Sequence, residues 1–546
     1  MKGFFRWELF PSLVVILLVL FPLQLFAASK PIHYRWGSIM LVSTLDPNNQ
    51  TSDTDYVVAN NLYDTLVFPD PIKIYIPWMA ESWKASSDGL KYTFLLKKGI
   101  PFHDGSEVTA DDVVFSMDRL VTLGGSIATF FRTIKSGSTK ALDPYTVEFN
   151  LTKKDPAFIH SLILFKIVKK GLIMKNLDKG NFGPMGDYGL KYLQTHEAGS
   201  GPFILEEYKY GDLVKMKRFP KYPFVSQKSG SAEMISIYTI PEVVTLVSKF
   251  KMGEFDEVHW SLPRKIVNEL KTDEKFTVVE HFDPRPWTVV INNQKKPLDC
   301  PYVRKAINYA FNKEVITSQI LAGGRPLKGP IPEELRWGCE DIVTYPYNVE
   351  KAKQVLAQSK YSAADLTNFK MEFAAVAGSE RYKAIGLLFM NDMKKIGLNV
   401  EIRAVRWGEI CQAAQKPEKA YHFALLAQAA KVAHPYQYFI FYTPNGWGTA
   451  YPAGGIYYEN PKVTEAVDKG NNAGNFEEQK KLYCQAQKII AEDAPVAFLH
   501  EDLRPTPFWR YVKGYKYPVG AMFFEHRFEQ FTMDTNDPLF IKNHGW

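Results

Sequence analysis

Between residues 91 and 120 the sequence changes its period within thirty positions. Lys91-Tyr92-Thr93-Phe94-Leu95-Leu96 alternates, with Tyr92, Phe94 and Leu96 on one face, which is the spacing of a half-buried strand. Lys97-Lys98-Gly99 ends the run, and Pro101 to Gly105 supplies a turn. Thr109 then stands three residues before Asp112, a capping-box arrangement with an aspartate in the place of the usual Glu or Gln. Asp111 and Asp112 fall in the first helical turn, where the helix dipole favours negative charge. Similar switches recur along the chain. Residues 299–322 predict one long helix, capped by Asp299, with Pro301 in its first turn, Val303, Ile307, Ala310, Phe311, Val315 and Ile316 on its apolar face, and Gly323-Gly324 as its stop. Residues 379–396 predict a helix between Ser379 and Gly397, 398–405 a strand, and 475–493 another helix. Mixed signals without a short repeat give an α/β protein. Its 546 residues exceed what one core organises, so about two to four domains are expected.

The first 28 residues stand apart. Lys2 and Arg6 precede an apolar run from Leu9 to Phe26, and Ala27-Ala28-Ser29 follows, the plan of a cleaved secretory signal peptide. No later stretch approaches the roughly 18 consecutive apolar residues of a membrane span. The mature chain is therefore expected to be exported, soluble and periplasmic. Removing Lys2, Arg6 and Glu8 takes one positive charge from a net +7, and no Lys/Arg run remains to suggest nucleic acid as a partner. The four cysteines, Cys300, Cys339, Cys411 and Cys484, form no CxxC pair, so a structural zinc site is not expected. In an oxidising compartment a disulfide is allowed. Cys300–Cys339 is the first pairing to expect, because both lie in one segment, although sequence does not settle connectivity.

Catalytic signatures are missing: GxSxG, HExxH, the P-loop and GxGxxG are all absent. His103-Asp104 sits in the turn before the capped helix, and most acids around it already serve the turn and the cap. No cofactor and no metal site is expected. Glycoside-hydrolase chemistry needs only two carboxylates placed in space, so an exported hydrolase using dispersed carboxylates is the alternative to a binding protein.

Several segments, in order, resemble one family. PWMAESWKASSDGLKYTFLLKKGIPFHDGSEVTADDVVFSMDRL (77–120) is similar to the signature region of the extracellular solute-binding proteins, family 5, which serve peptide- and nickel-type ABC importers. GSGPFILEEY (199–208), NNQKKPLDCPYVRKAINYAFNKEVI (292–316), NDMKKIGLNVEI (391–402) and APVAFLHEDL (494–503) resemble later segments of the same family. The resemblance implies a periplasmic-binding-protein-like two-lobe fold with an additional third domain (class II, large peptide-binding type). By analogy, residues 29–72, 196–288 and 511–546 would form the first lobe, 73–195 the extra domain and 289–510 the other lobe. It also implies a monomer that captures a small molecule or short peptide between its lobes, hands it to an inner-membrane ABC permease and catalyses nothing. His103 and Asp104 would then belong to a structural turn.

The pocket segment departs from the family. Peptide-binding members carry a stretch like G-W-x-x-D-x-x-D-P, whose aspartate pairs with the ligand's amino terminus. The matching stretch here is AQAAKVAHPYQYF (427–439), which has Gln428 for the tryptophan, Lys431 at the first acidic position and His434 at the second. A lysine there would repel an ammonium and favour an anionic or oxygen-rich group, such as a modified amino-acid conjugate or oligosaccharide. If Lys431 points to solvent instead, other groups hold the ligand. Trp407 matches an aromatic position near the family's pocket, and Tyr436, Tyr438 and Trp447 lie close in sequence; each either stacks on ligand or packs in the core. Arg381 falls roughly where dipeptide binders hold a carboxylate, or is a surface arginine.

Overall fold

Two strands, Phe276–Ile291 and Val496–Trp509, run antiparallel through the middle of an 11-stranded sheet and tie its two halves together. A computed structural model describes residues 1, 3, 30–70, 74–321, 323–428, 431–432, 434–449, 451–518, 521 and 524–546. The apolar leader expected at residues 9–26 lies outside the described residues, and no described helix is long and apolar enough to cross a membrane.

The two crossing strands do not pair evenly. Phe276 to Phe282 face Trp509 to Leu503 in register, and pairing resumes at Pro286 opposite Glu501. Asp283, Pro284 and Arg285 therefore stand against Asp502 alone. Prolines cannot donate to a ladder, and two of them fall here, Pro284 within the bulge and Pro286 at its end. On one side the sheet continues through Glu257–Val258, His33–Ser38, Met234–Thr239, Leu213–Arg218 and Phe203–Lys209. On the other it continues through Phe423–Ala427, Lys370–Val376 and Asn399–Val405. The halves have separate apolar cores: Trp36, Phe203, Ile235 and Phe250 belong to one, and Ile291, Ile307, Phe373 and Phe389 to another.

A third core lies under a four-stranded antiparallel sheet, Ala80–Ala85, Lys91–Leu96, Thr146–Asn150 and Lys140–Asp143. Phe94 and Leu96 are buried and Leu95 is exposed, as the alternation requires. The helix Ala110–Leu123 packs Val113, Met117 and Leu120 into the same core. Asp112 closes the cap: its carboxylate accepts the Thr109 backbone N–H at 3.0 Å and the Thr109 hydroxyl at 2.9 Å. The helices Glu380–Lys394 and Phe476–Asp493 and the strand Asn399–Val405 fall within a residue or two of expectation.

Two expectations need correction. The single helix at 299–322 is broken. It runs from Pro301 to Ala310, Phe311 takes an extended conformation, and Asn312 caps a second short turn, Lys313–Val315. The buried Asp392 carboxylate accepts the Asn312 N–H at 2.9 Å, giving the break a partner outside the helix. Asp299 is not the cap; Cys300 holds that position, and Asp299 instead accepts the Tyr361 hydroxyl at 2.7 Å. The disulfide is Cys339–Cys484, not Cys300–Cys339. Cys300 is buried in the core with Leu298 and Val303, and Cys339 is bonded instead to Cys484 on the helix Phe476–Asp493.

Candidate functional site

Lys431 sits where three parts of the fold converge. Its Nζ lies 5.0 Å from the ring centre of Tyr56, on the helix Asp53–Leu62, and 5.9 Å from that of Phe130, in the short 3-10 helix Ala128–Phe131 beside the four-stranded sheet. Burial pulls the ammonium down to about 8, and the charge of Asp53 opposes that shift. A desolvated cation over two aromatic faces retains its attraction for an anion.

The segment carrying Lys431 is fixed to the bulge in the crossing strands. The Gln428 N–H donates to the Pro286 carbonyl at 3.0 Å, and the buried Tyr438 hydroxyl donates to the Pro284 carbonyl at 2.8 Å. His434 is buried among rings: His160 at 4.5 Å, Trp337 at 5.8 Å and Tyr483 at 6.2 Å between centroids. Its Nδ1 accepts the Tyr436 N–H at 3.2 Å. Burial drives the His434 imidazole well below its ordinary range and that of His160 down to about 3, so both rings are neutral. His160 belongs to the helix Phe158–Ser161 of the third core, so this ring contact also joins separate parts of the fold.

The structure thus joins His434 and Tyr436 by a hydrogen bond and sets Lys431 over Tyr56 and Phe130. It leaves the other expected site residues elsewhere. Trp407 opens the helix Trp407–Ala413, is 37% exposed, and meets only the edge of Tyr451 among ring contacts of the described residues. Trp447 donates its indole N–H to the Tyr458 carbonyl at 3.1 Å and packs on Tyr457. Arg381 is exposed, although its charge reaches Asp502, the residue opposite the bulge. His103 and Asp104 form a turn: His103 Nδ1 lies 2.7 Å from Glu197 Oε1 and Nε2 lies 3.0 Å from the Gly201 carbonyl, while Asp104 accepts from Ser106 and pairs with Lys169.

Sequence reasoning missed the charged residues at the bulge. Arg285 lies 3.8 Å from Asp53 and 3.7 Å from Asp283. Arg504 pairs with Glu525 at 2.8 Å, and the guanidiniums of Arg504 and Arg285 lie 4.4 Å and 5.7 Å from the Trp260 ring centre. The available signal was Asp283-Pro284-Arg285-Pro286 set between apolar, β-branched runs. Among the described residues no cluster of three or more His, Cys, Asp or Glu could hold a metal ion.

The family model for bacterial extracellular solute-binding proteins, family 5, matches residues 75–449. Heme-binding protein A of Haemophilus influenzae is 27% identical, covering 80% of this chain and 81% of its own length. The probable D,D-dipeptide-binding periplasmic protein DdpA of Escherichia coli is 26% identical, covering 86% and 89%. Among solved structures, the periplasmic binding protein DppA of Helicobacter pylori, in complex with the peptide STSA, superposes with a TM-score of 0.73 at 24% identity, covering 92% of this chain and 99% of its own.

Proposed function

We infer the role of this chain from one premise: it belongs to the bacterial extracellular solute-binding proteins, family 5. It is a substrate-binding receptor of an ABC importer, and the hydrolase alternative has no support. Beyond that, we propose a monomeric periplasmic receptor, freed from its leader near residues 28–30, which delivers its cargo to an inner-membrane permease. Its lobes would comprise 29–72, 196–288 and 511–546 on one side and 289–510 on the other, with 73–195 as the added domain. A solute that touches both lobes only when they are closed stabilises the closed form by its differential affinity.

The reading of the cargo rests on one observation, the ammonium of Lys431 over Tyr56 and Phe130 with Asp53 near. The proposed solute presents an anionic or oxygen-rich group to that ammonium, and it is a peptide-like molecule or an anionic or sugar-like conjugate. Relatives named for heme and for D,D-dipeptides show that cargo varies among similar proteins, which is consistent with this reading. His434 and Tyr436 shape the wall beside the ammonium, and Trp407, Trp447 and Arg381 act at the margin. Calorimetry on cargo recovered from the exported protein tests this. Lys431→Ala should weaken binding at least tenfold, since truncating one partner of a desolvated charge pair costs about 2–5 kcal/mol. Equal affinity in the variant would overturn the Lys431 reading.

A further inference from the structure

We propose that the bulge in the crossing strands is itself a ligand subsite, in which Asp53 and Asp283, with Arg285 between them, take a primary ammonium or similar organic cation of the solute. The inference rests on the receptor reading above and adds a second recognition point to it.

Three observations carry it. First, the ion pairing is loose: Arg285 stands 3.8 Å from Asp53 and 3.7 Å from Asp283, beyond hydrogen-bond distance of either carboxylate. Arg504 acts on both carboxylates through its charge, while its own close ion pair is with Glu525 at 2.8 Å. Secondly, the groups are poorly satisfied. Asp53 Oδ2, Asp283 Oδ1 and Arg285 Nε are buried and have no hydrogen-bond partner among the described residues. The Asp283 side chain is only 3% exposed. Buried polar groups are ordinarily paired, and an unmade bond in a dry site is a standing cost that a ligand can remove. Thirdly, the groups come from both sides of the crossover. Asp53 opens the helix Asp53–Leu62, while Asp283 and Arg285 lie in the bulge that joins the two halves of the sheet. Burial raises the Asp283 carboxyl, and the neighbouring Asp502 and Asp53 push the same way against Arg285 and Arg504. An incoming ammonium would stabilise its charged form.

The polarity is notable beside Lys431. The cation stands on the 428–439 segment and the two loosely paired carboxylates at the crossover. A solute with an anionic end and a cationic end would lie between them, its ammonium away from the position Lys431 occupies.

The test uses the full exported chain and a mixed dipeptide pool in two forms, free-ended and N-acetylated, each with sodium and calcium chloride controls. The free-ended pool should bind at least tenfold more tightly than the acetylated pool. Asp283→Asn should remove that preference while leaving affinity for the acetylated pool within threefold, and Asp53→Asn should also remove it. Melting of the unliganded variants checks folding, and Asp53→Asn serves if Asp283→Asn does not fold. The subsite is overturned if acetylation does not weaken binding, if both variants weaken both pools alike, if simple salts displace the free-ended pool, or if neither pool binds. The receptor reading fails separately, when the exported protein neither carries nor contracts around any cargo.

Discussion

The Nζ of Lys431 stands 5.0 Å from the centre of the Tyr56 ring, a cation held over an aromatic face that shares a core with the neighbouring Val432. The contact gives the junction its chemistry. Burial has already weakened the hold of this ammonium on its proton, so an anionic partner would restore it.

That has a measurable consequence. The free ammonium titrates at about 8. Binding of an anionic group should raise that value toward the ordinary lysine range, so near pH 8 the protein should take up a fraction of a proton from buffer as cargo binds. Calorimetry in buffers of different ionisation enthalpy reads this directly. Lys431→Ala should abolish the uptake, and affinity in the parent should fall as pH rises above 8. Uptake unchanged in the variant would assign the proton to another group.

The His160–His434 contact makes acid a stress on the fold. Both imidazoles are lowered in the folded protein, so each binds its proton more readily when unfolded. Their contribution is fully present above the ordinary histidine value of about 6.5 and is lost progressively as pH falls below it, toward about 3 for His160. His160 Nδ1 has no hydrogen-bond partner among the described residues, so His160→Phe should fold at neutral pH with no loss of melting temperature. The same variant should flatten the acid limb by up to about 1.4 kcal/mol per pH unit. Denaturant melts between pH 7 and 4 measure both.

Cys339–Cys484 closes a loop across 145 residues of sequence. Trp337, two residues before Cys339, packs against His434 and donates to Gln479 at 3.0 Å. Cys484→Ala should cost about 2–5 kcal/mol of stability. Thiol counting on the oxidised protein should find Cys411 reactive when folded and Cys300 only after unfolding, since Cys300 is in the core. A second rapidly reacting thiol in the folded protein would contradict this.

What could be read from sequence follows a physical line. The capped helix at Ala110–Leu123 and the strand at Lys91–Leu96 were legible because periodicity and capping are local. The break at Phe311 was not, because the carboxylate that receives the Asn312 N–H belongs to Asp392, in a distant helix. The disulfide was misjudged because sequence proximity says nothing about which wall of a core a thiol faces. Lys431 and His434 could be aligned with the family's acidic positions because Pro435 fixes their register. Asp53, Asp283, Arg285 and Arg504 were not, because a bulge follows from the pairing of two strands that lie far apart in the chain.

Small-angle scattering on the exported protein, stripped of cargo and then reloaded with the cargo recovered from it, tests the central claim most directly. A receptor that closes about the crossing strands should show a smaller radius of gyration when loaded, with the cargo recovered chemically unchanged. An identical radius in the two states, or cargo converted to a product, would contradict the account.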